Sequence, residues 1–253
     1  MDLEICVDSV ESAISAARGG AERIELCSAL SEGGITPSAG LIRSVREAVG
    51  IPVYIIVRPR GGNFVYSEPE LEVMRRDIVD ARARGVDGVV LGVLTPDHEV
   101  DRARTAALIE LARPLQVTFH RAFDFCRDLD QALEDVIVCG ADLLLTSGGR
   151  PDAMKGLNAI AGLQRRAGMR IRIMAGGGVR IGNVRTIALR TGVRDVHTSL
   201  SSEVQSTACD GGTEGDALHA GLARFVVREN DVRAFKSALQ AIAMETGART
   251  PVQ

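Results

Sequence analysis

Short runs of β-branched and other apolar residues recur along the chain, each followed by a stretch whose apolar positions return every three or four residues. The short runs read as eight strands: LEICV (3–7), RIELC (23–27), VYIIV (53–57), GVVLGV (88–93), LQVTFH (115–120), DLLLT (142–146), RIRIMA (170–175) and DVHTS (195–199). The intervening stretches carry helix start and stop signals. SVESAISAARGG has Ser9 as N-cap and Gly19-Gly20 as stop, TPSAGLIRSVREAVG runs to Gly50, and EPELEVMRRDIVDARARG ends at Gly85. Further helices are expected to begin near Asp101, Asp128, Pro151, Ile181 and Asn230. Strict alternation of strand and helix implies parallel strands and right-handed crossovers, and eight such units in 253 residues predict a single-domain α/β fold, a closed (β/α)8 barrel of the TIM type. An open doubly wound sheet is the rival, but its dinucleotide fingerprint is missing. Between the eighth strand and the last helix, residues 200–228 read as a long polar loop, a candidate lid over the barrel mouth.

Strand parity turns this architecture into a site prediction. Helices cover the outside of such a barrel, so polar residues sharing one parity should face its interior or mouth. That rule points Glu4 and Cys6, Glu25 and Cys27, Arg58, Thr118 and His120, Asp142 and Thr146, and His197 and Ser199 inward. Buried charge is costly unless it is paired, so this ring must satisfy itself or a ligand. Cys6 and Cys27, read as matching positions on adjacent strands, form a candidate pair for a soft ion such as Cu(I); core packing is the alternative. Glu4 and Glu25 are candidate acid/base or metal-binding carboxylates, or else partners of an arginine such as Arg58.

The C-terminal ends of the strands carry the other candidate chemistry. In TFHRAFD, His120 could act as general acid or base, with Asp124 orienting it and Arg121 holding a carboxylate or phosphate. Glycine-rich stretches follow the sixth and seventh strands, and Gly148, Gly149 and Arg150 with Gly176, Gly177 and Gly178 make a candidate anion site built on backbone N–H groups. Tight-turn geometry is the alternative reading of the same glycines. Together with Glu25 and Arg58, these residues would compose the mouth of an enzyme acting on a small phosphorylated or carboxylated metabolite.

Charge and composition narrow the classes. A net charge of -3 argues against a nucleic-acid surface, and no apolar run approaches a membrane span. The chain's start lacks the pattern of a signal peptide, which gives a cytoplasmic expectation. Five cysteines without a C-x-x-C pair indicate neither a disulfide framework nor a zinc ribbon. The only lysines, Lys155 and Lys236, lie off the strands, which removes the Schiff-base chemistry of barrel aldolases. Serine-hydrolase, zincin and P-loop motifs are absent.

Several phrases in order, LEIC, RIELCSALSEGGITPS, RPRGGNFVYS, TFHRAFD, LTSGG, MAGGGVR and DVHTS, closely resemble those of the CutC family of copper homeostasis proteins. The resemblance spans Leu3 to Ser199. It implies a (β/α)8 barrel, a cytoplasmic location, a homo-oligomer such as a dimer or tetramer, and a Cu(I) site whose two cysteines match Cys6 and Cys27. It leaves 200–228 unmatched and names no reaction.

Overall fold

The computed structural model describes residues 1–204 and 224–247. Eight parallel strands close into a barrel in chain order: β1 (Asp2–Val7), β2 (Arg23–Leu26), β3 (Val53–Ile56), β4 (Gly88–Leu91), β5 (Gln116–Phe119), β6 (Leu143–Thr146), β7 (Arg172–Ala175) and β8 (Asp195–Thr198). β8 pairs with β1 to complete the ring. Helices α1 (Val10–Gly19), α2 (Ala39–Ala48), α3 (Glu68–Ala83), α4 (Arg102–Ala112), α5 (Leu129–Cys139), α6 (Leu157–Ala167) and α7 (Val184–Thr191) follow the first seven strands, and α8 (Glu229–Gly247) ends the described chain. The fold is the single-domain (β/α)8 barrel that the alternation predicts.

Local signals place most helix boundaries. The Ser9 hydroxyl accepts from the Ser12 N–H, and Gly20 closes α1 at φ 94°, a left-handed conformation that glycine adopts without a Cβ penalty. Ser67 and Glu70 form a reciprocal capping box on α3. Asp101 and Asp128 cap α4 and α5 at the expected starts. The sixth helix differs: it begins at Leu157 and not near Pro151. Residues 151–156 instead turn back over the end of β6, where Gly156 packs so closely that a Cβ on it would lie 1.8 Å from the Ser147 carbonyl oxygen.

Two apolar layers result. Leu3, Ile5, Val7, Ile24, Leu26, Ile55, Leu91, Phe119 and Leu144 point outward into the shell between barrel and helices. Cys6, Cys27, Tyr54, Ile56, Val90 and Leu143 pack inside the barrel. The membership of Leu143 and Leu144 corrects the sixth strand's parity. Asp142 and Thr146 do not face the interior: Asp142 binds Arg113 and the Val117 N–H, and Thr146 donates to Asp124. The strand interior, Leu143–Leu145, is apolar on both faces, so its flanking polar residues were a misleading guide.

The stretch after β8 is also not a plain loop. Its described ends form β9 (Ser201–Val204) and β10 (Arg224–Val227), an antiparallel pair, and the Val227 N–H donates to Ser12 Oγ at 3.1 Å. The lid expectation falls chiefly on 205–223, outside the described residues, as does Cys209. Among the described residues, no helix is long and apolar enough to cross a membrane.

Candidate metal centre at the barrel mouth

Strand register decides which residues meet. Cys6 pairs with Glu25, and Glu4 pairs with Arg23, so the two cysteines are not at matching heights as the sequence repeat implied. Closing a parallel sheet into a barrel requires a stagger between strands, and the repeat cannot show it. The offset leaves the thiols diagonal but close: Cys6 Sγ lies 3.6 Å from Cys27 Sγ and 3.5 Å from Glu25 Oε1. Cys6 lines the mouth cavity. Cys27 is fully buried, with its Sγ 3.6 Å from the Val7 carbonyl oxygen and its Cβ packed near Gly34 of the following loop.

Beneath the thiols lies an ionic chain. Arg23 Nε donates to Glu4 Oε2, and Glu4 Oε1 sits 2.7 Å from His197 Nδ1. Glu4 is completely buried; burial by itself would raise its pKa, but Arg23 and His197 hold the carboxyl down at about 2. Burial opposes protonation of His197, yet Glu25 and Glu4 raise its pKa on balance. Unlike Glu4, Glu25 has its pKa raised, chiefly by burial. Cys6 is driven well above an ordinary thiol by its contact with Cys27, by burial and by Glu25. Cys6 therefore stays a protonated thiol until something replaces its proton.

His120 and Arg58 line the same cavity, which has a volume of about 240 Å³. His120 Nδ1 accepts the Ala122 N–H and so caps the short helical turn Arg121–Phe125. Burial, then the Arg58 charge, lowers its pKa to about 3, so the ring is neutral at physiological pH, and its buried Nε2 has no hydrogen-bond partner. Arg58 spends its terminal N–H groups on the carbonyl oxygens of Glu32, Gly34 and Gly62, which ties the β2 and β3 loops together.

Asp124 does not orient His120. Its carboxylate accepts from Arg121 Nε, the hydroxyls of Thr146 and Ser147, and the N–H groups of Ser147 and Gly149. The Gly148 N–H goes to the Thr146 hydroxyl and the Gly176 N–H to the Thr146 carbonyl. An internal carboxylate thus occupies the N–H nest at the β6 loop. Arg121 also donates to Ser147 Oγ, while Arg150 contributes its backbone carbonyl to this network and does not line the cavity. Gly177 and Gly178 do line it, beside Arg180.

One constellation escaped the sequence reading. Cys6, Glu25 and His197 each offer a ligand atom, all within 4.8 Å of one another. Parity put all three inside; only the β8–β1 closure puts His197 beside the first two strands.

The CutC family model matches residues 1–202. The chain belongs to the CutC family. A human protein named copper homeostasis protein cutC homolog is 48% identical over 200 residues, covering 79% of this chain and 73% of that one. A CutC family protein of Xanthomonas campestris is 49% identical over 204 residues, covering 81% and 85%. A crystal structure from Streptococcus agalactiae, named as a CutC copper homeostasis protein, superposes with a TM-score of 0.74 at 33% identity, covering 78% of this chain and 97% of the other. A thiamine phosphate pyrophosphorylase from Pyrococcus furiosus, 18% identical with a TM-score of 0.58, shares the barrel fold and shows no more than that.

Proposed function

We propose that this CutC family member serves copper homeostasis by holding Cu(I) between Cys6 and Cys27, copper being cargo and not a resident catalyst. The observation that carries the reading is the 3.6 Å separation of the two sulfurs. Two metal–thiolate bonds of about 2.3 Å span about 4.6 Å at a linear two-donor ion, so the sulfurs must part by about 1 Å to admit it, within reach of a side-chain rotation. Thiolates are the soft donors Cu(I) prefers, and the barrel interior screens them from oxidants. The cavity gives the ion a path to Cys6, and the buried Cys27 sulfur lies 3.6 Å beyond it. Because Cys6 is held protonated, loading displaces protons and tightens as pH rises.

The names of the relatives support the copper connection, and the same reading places the protein in the cytoplasm, where thiols stay reduced, as a homo-oligomer. Anaerobic Cu(I) titration against a competing chelator tests it. One equivalent per chain is expected, lost in the Cys6→Ser/Cys27→Ser variant; unchanged stoichiometry in that variant removes the assignment.

A further inference from the structure

Cys6 also belongs to a second set of donors that does not include Cys27. We propose that Cys6, Glu25 and His197 form a three-donor site for a divalent ion of the zinc class, with its fourth coordination position open to the mouth cavity. This site is distinct from the Cu(I) pair and does not depend on it, although the two would compete for one thiol.

Donor chemistry separates the two sites. A thiolate, a carboxylate and an imidazole suit a borderline divalent ion, whereas two thiolates suit a soft monovalent one. One Cys thiolate and one Glu carboxylate neutralise the two charges of the ion in a buried setting, where a net charge would be costly. All three residues line the cavity, and their ligand atoms already cluster within 4.8 Å. The Cys6 Sγ to Glu25 Oε1 separation is 3.5 Å, and bonds of about 2.3 Å to sulfur and 2.0 Å to oxygen at a tetrahedral angle require about 3.5 Å.

Two further observations point to a ligand. Glu25 is 5% exposed, and its Oε2 is buried with no hydrogen-bond partner. Buried carboxylate oxygens rarely go unsatisfied, and a cation held by both oxygens of the Glu25 carboxylate would take Oε2 along with Oε1. His197 is also preset for coordination. Glu4 engages Nδ1 at 2.7 Å, which leaves Nε2 as the free ring nitrogen, and Arg23 fixes Glu4 in turn. Metal-ligating histidines commonly donate their other N–H to a carboxylate in this way. Glu4 is then a positioning residue, not a ligand. Loading sends the Cys6 thiol proton to solvent, and the open position takes water or an anionic donor from the cavity.

Co²⁺ is the probe, titrated anaerobically into the full-length protein. The expected result is one equivalent per chain with a near-ultraviolet thiolate-to-cobalt charge-transfer band and the strong visible bands of a four-coordinate ion, both erased by Zn²⁺. Cys27→Ser should retain the bands and Cys6→Ser should abolish the charge transfer. Glu25→Gln and His197→Gln should each weaken Co²⁺ at least about tenfold, while Glu25→Gln keeps its Cu(I) stoichiometry. Circular dichroism checks each apo variant, and Glu25→Asp, which withdraws the oxygen but keeps the charge, stands in if Glu25→Gln fails to fold. No charge-transfer band, affinity indifferent to Glu25 and His197, or bands lost in Cys27→Ser would each overturn the site. Failure of the Cu(I) reading shows separately, as stoichiometric Cu(I) binding that survives loss of both cysteines.

Discussion

Glu4 and His197 meet at 2.7 Å across the seam where the eighth barrel strand closes on the first. The same Glu4 carboxylate receives Arg23 from the second strand, so one fully buried group joins three strands. Its two partners supply the compensation that a buried charge needs.

Removing that group strands Arg23. Glu4→Ala should destabilise the barrel by about 3–5 kcal/mol, the range for breaking a buried ion pair from one side. Glu4→Gln, which keeps shape and one acceptor, should cost less. Urea midpoints at unchanged m-value check the ordering.

The acid limb of stability should have two steps. His120 titrates from 6.5 when unfolded to about 3 when folded, so its neutral form stabilises the fold above pH 6.5, and that contribution falls away as pH drops toward 3. Glu4 shifts from 4.5 to about 2, so its contribution is complete above pH 4.5 and is lost as pH falls toward 2. Each pH unit within a window changes stability by up to about 1.4 kcal/mol per group. His120→Gln should flatten the dependence between pH 6.5 and 4.5 and leave the lower step in place. Denaturation curves across that pH range test this.

Asp124 should be a keystone of the mouth without contacting the cargo. Its side chain is only 4% exposed and accepts five donor groups. Asp124→Ala leaves the Arg121 charge and the β6-loop N–H groups unpaired and should cost about 3 kcal/mol or more. Cu(I) stoichiometry in the folded fraction should persist. Thermal melting with a parallel Cu(I) titration separates the two effects.

Two glycines near the sixth strand should respond oppositely. A Cβ at Gly156 meets the Ser147 carbonyl at 1.8 Å, so Gly156→Ala must shift backbone and should cost about 2–3 kcal/mol. Nothing lies within 4 Å of a Cβ at Gly162 in α6, so Gly162→Ala should stabilise by about 0.5–1 kcal/mol. Melting temperatures of the two variants should therefore move apart.

Much of the fold was legible because its signals are local. The eight β-branched runs, the Ser9, Asp101 and Asp128 caps and the Ser67–Glu70 box each act over a few residues, and the observed elements follow them closely. Parity also placed Glu4, Cys6, Glu25, Cys27 and His197 inside the barrel, since polar residues on alternate strand positions have one shared direction. It failed on β6, where apolar residues fill both faces and carry no alternation.

The site's composition was likewise readable, but its connections were not. On β1, β2 and β8 the sequence alone determined which side chains enter the barrel, because the two-residue pleat is a property of each strand. Only the tertiary structure decided that Cys6 faces Glu25, that Asp124 fills the β6-loop nest instead of guiding His120, and that His197 arrives beside Glu4. Those pairings depend on the stagger between strands and on closure of β8 against β1, which join residues up to 193 positions apart. No local pattern encodes them; they follow from packing eight strands into a ring.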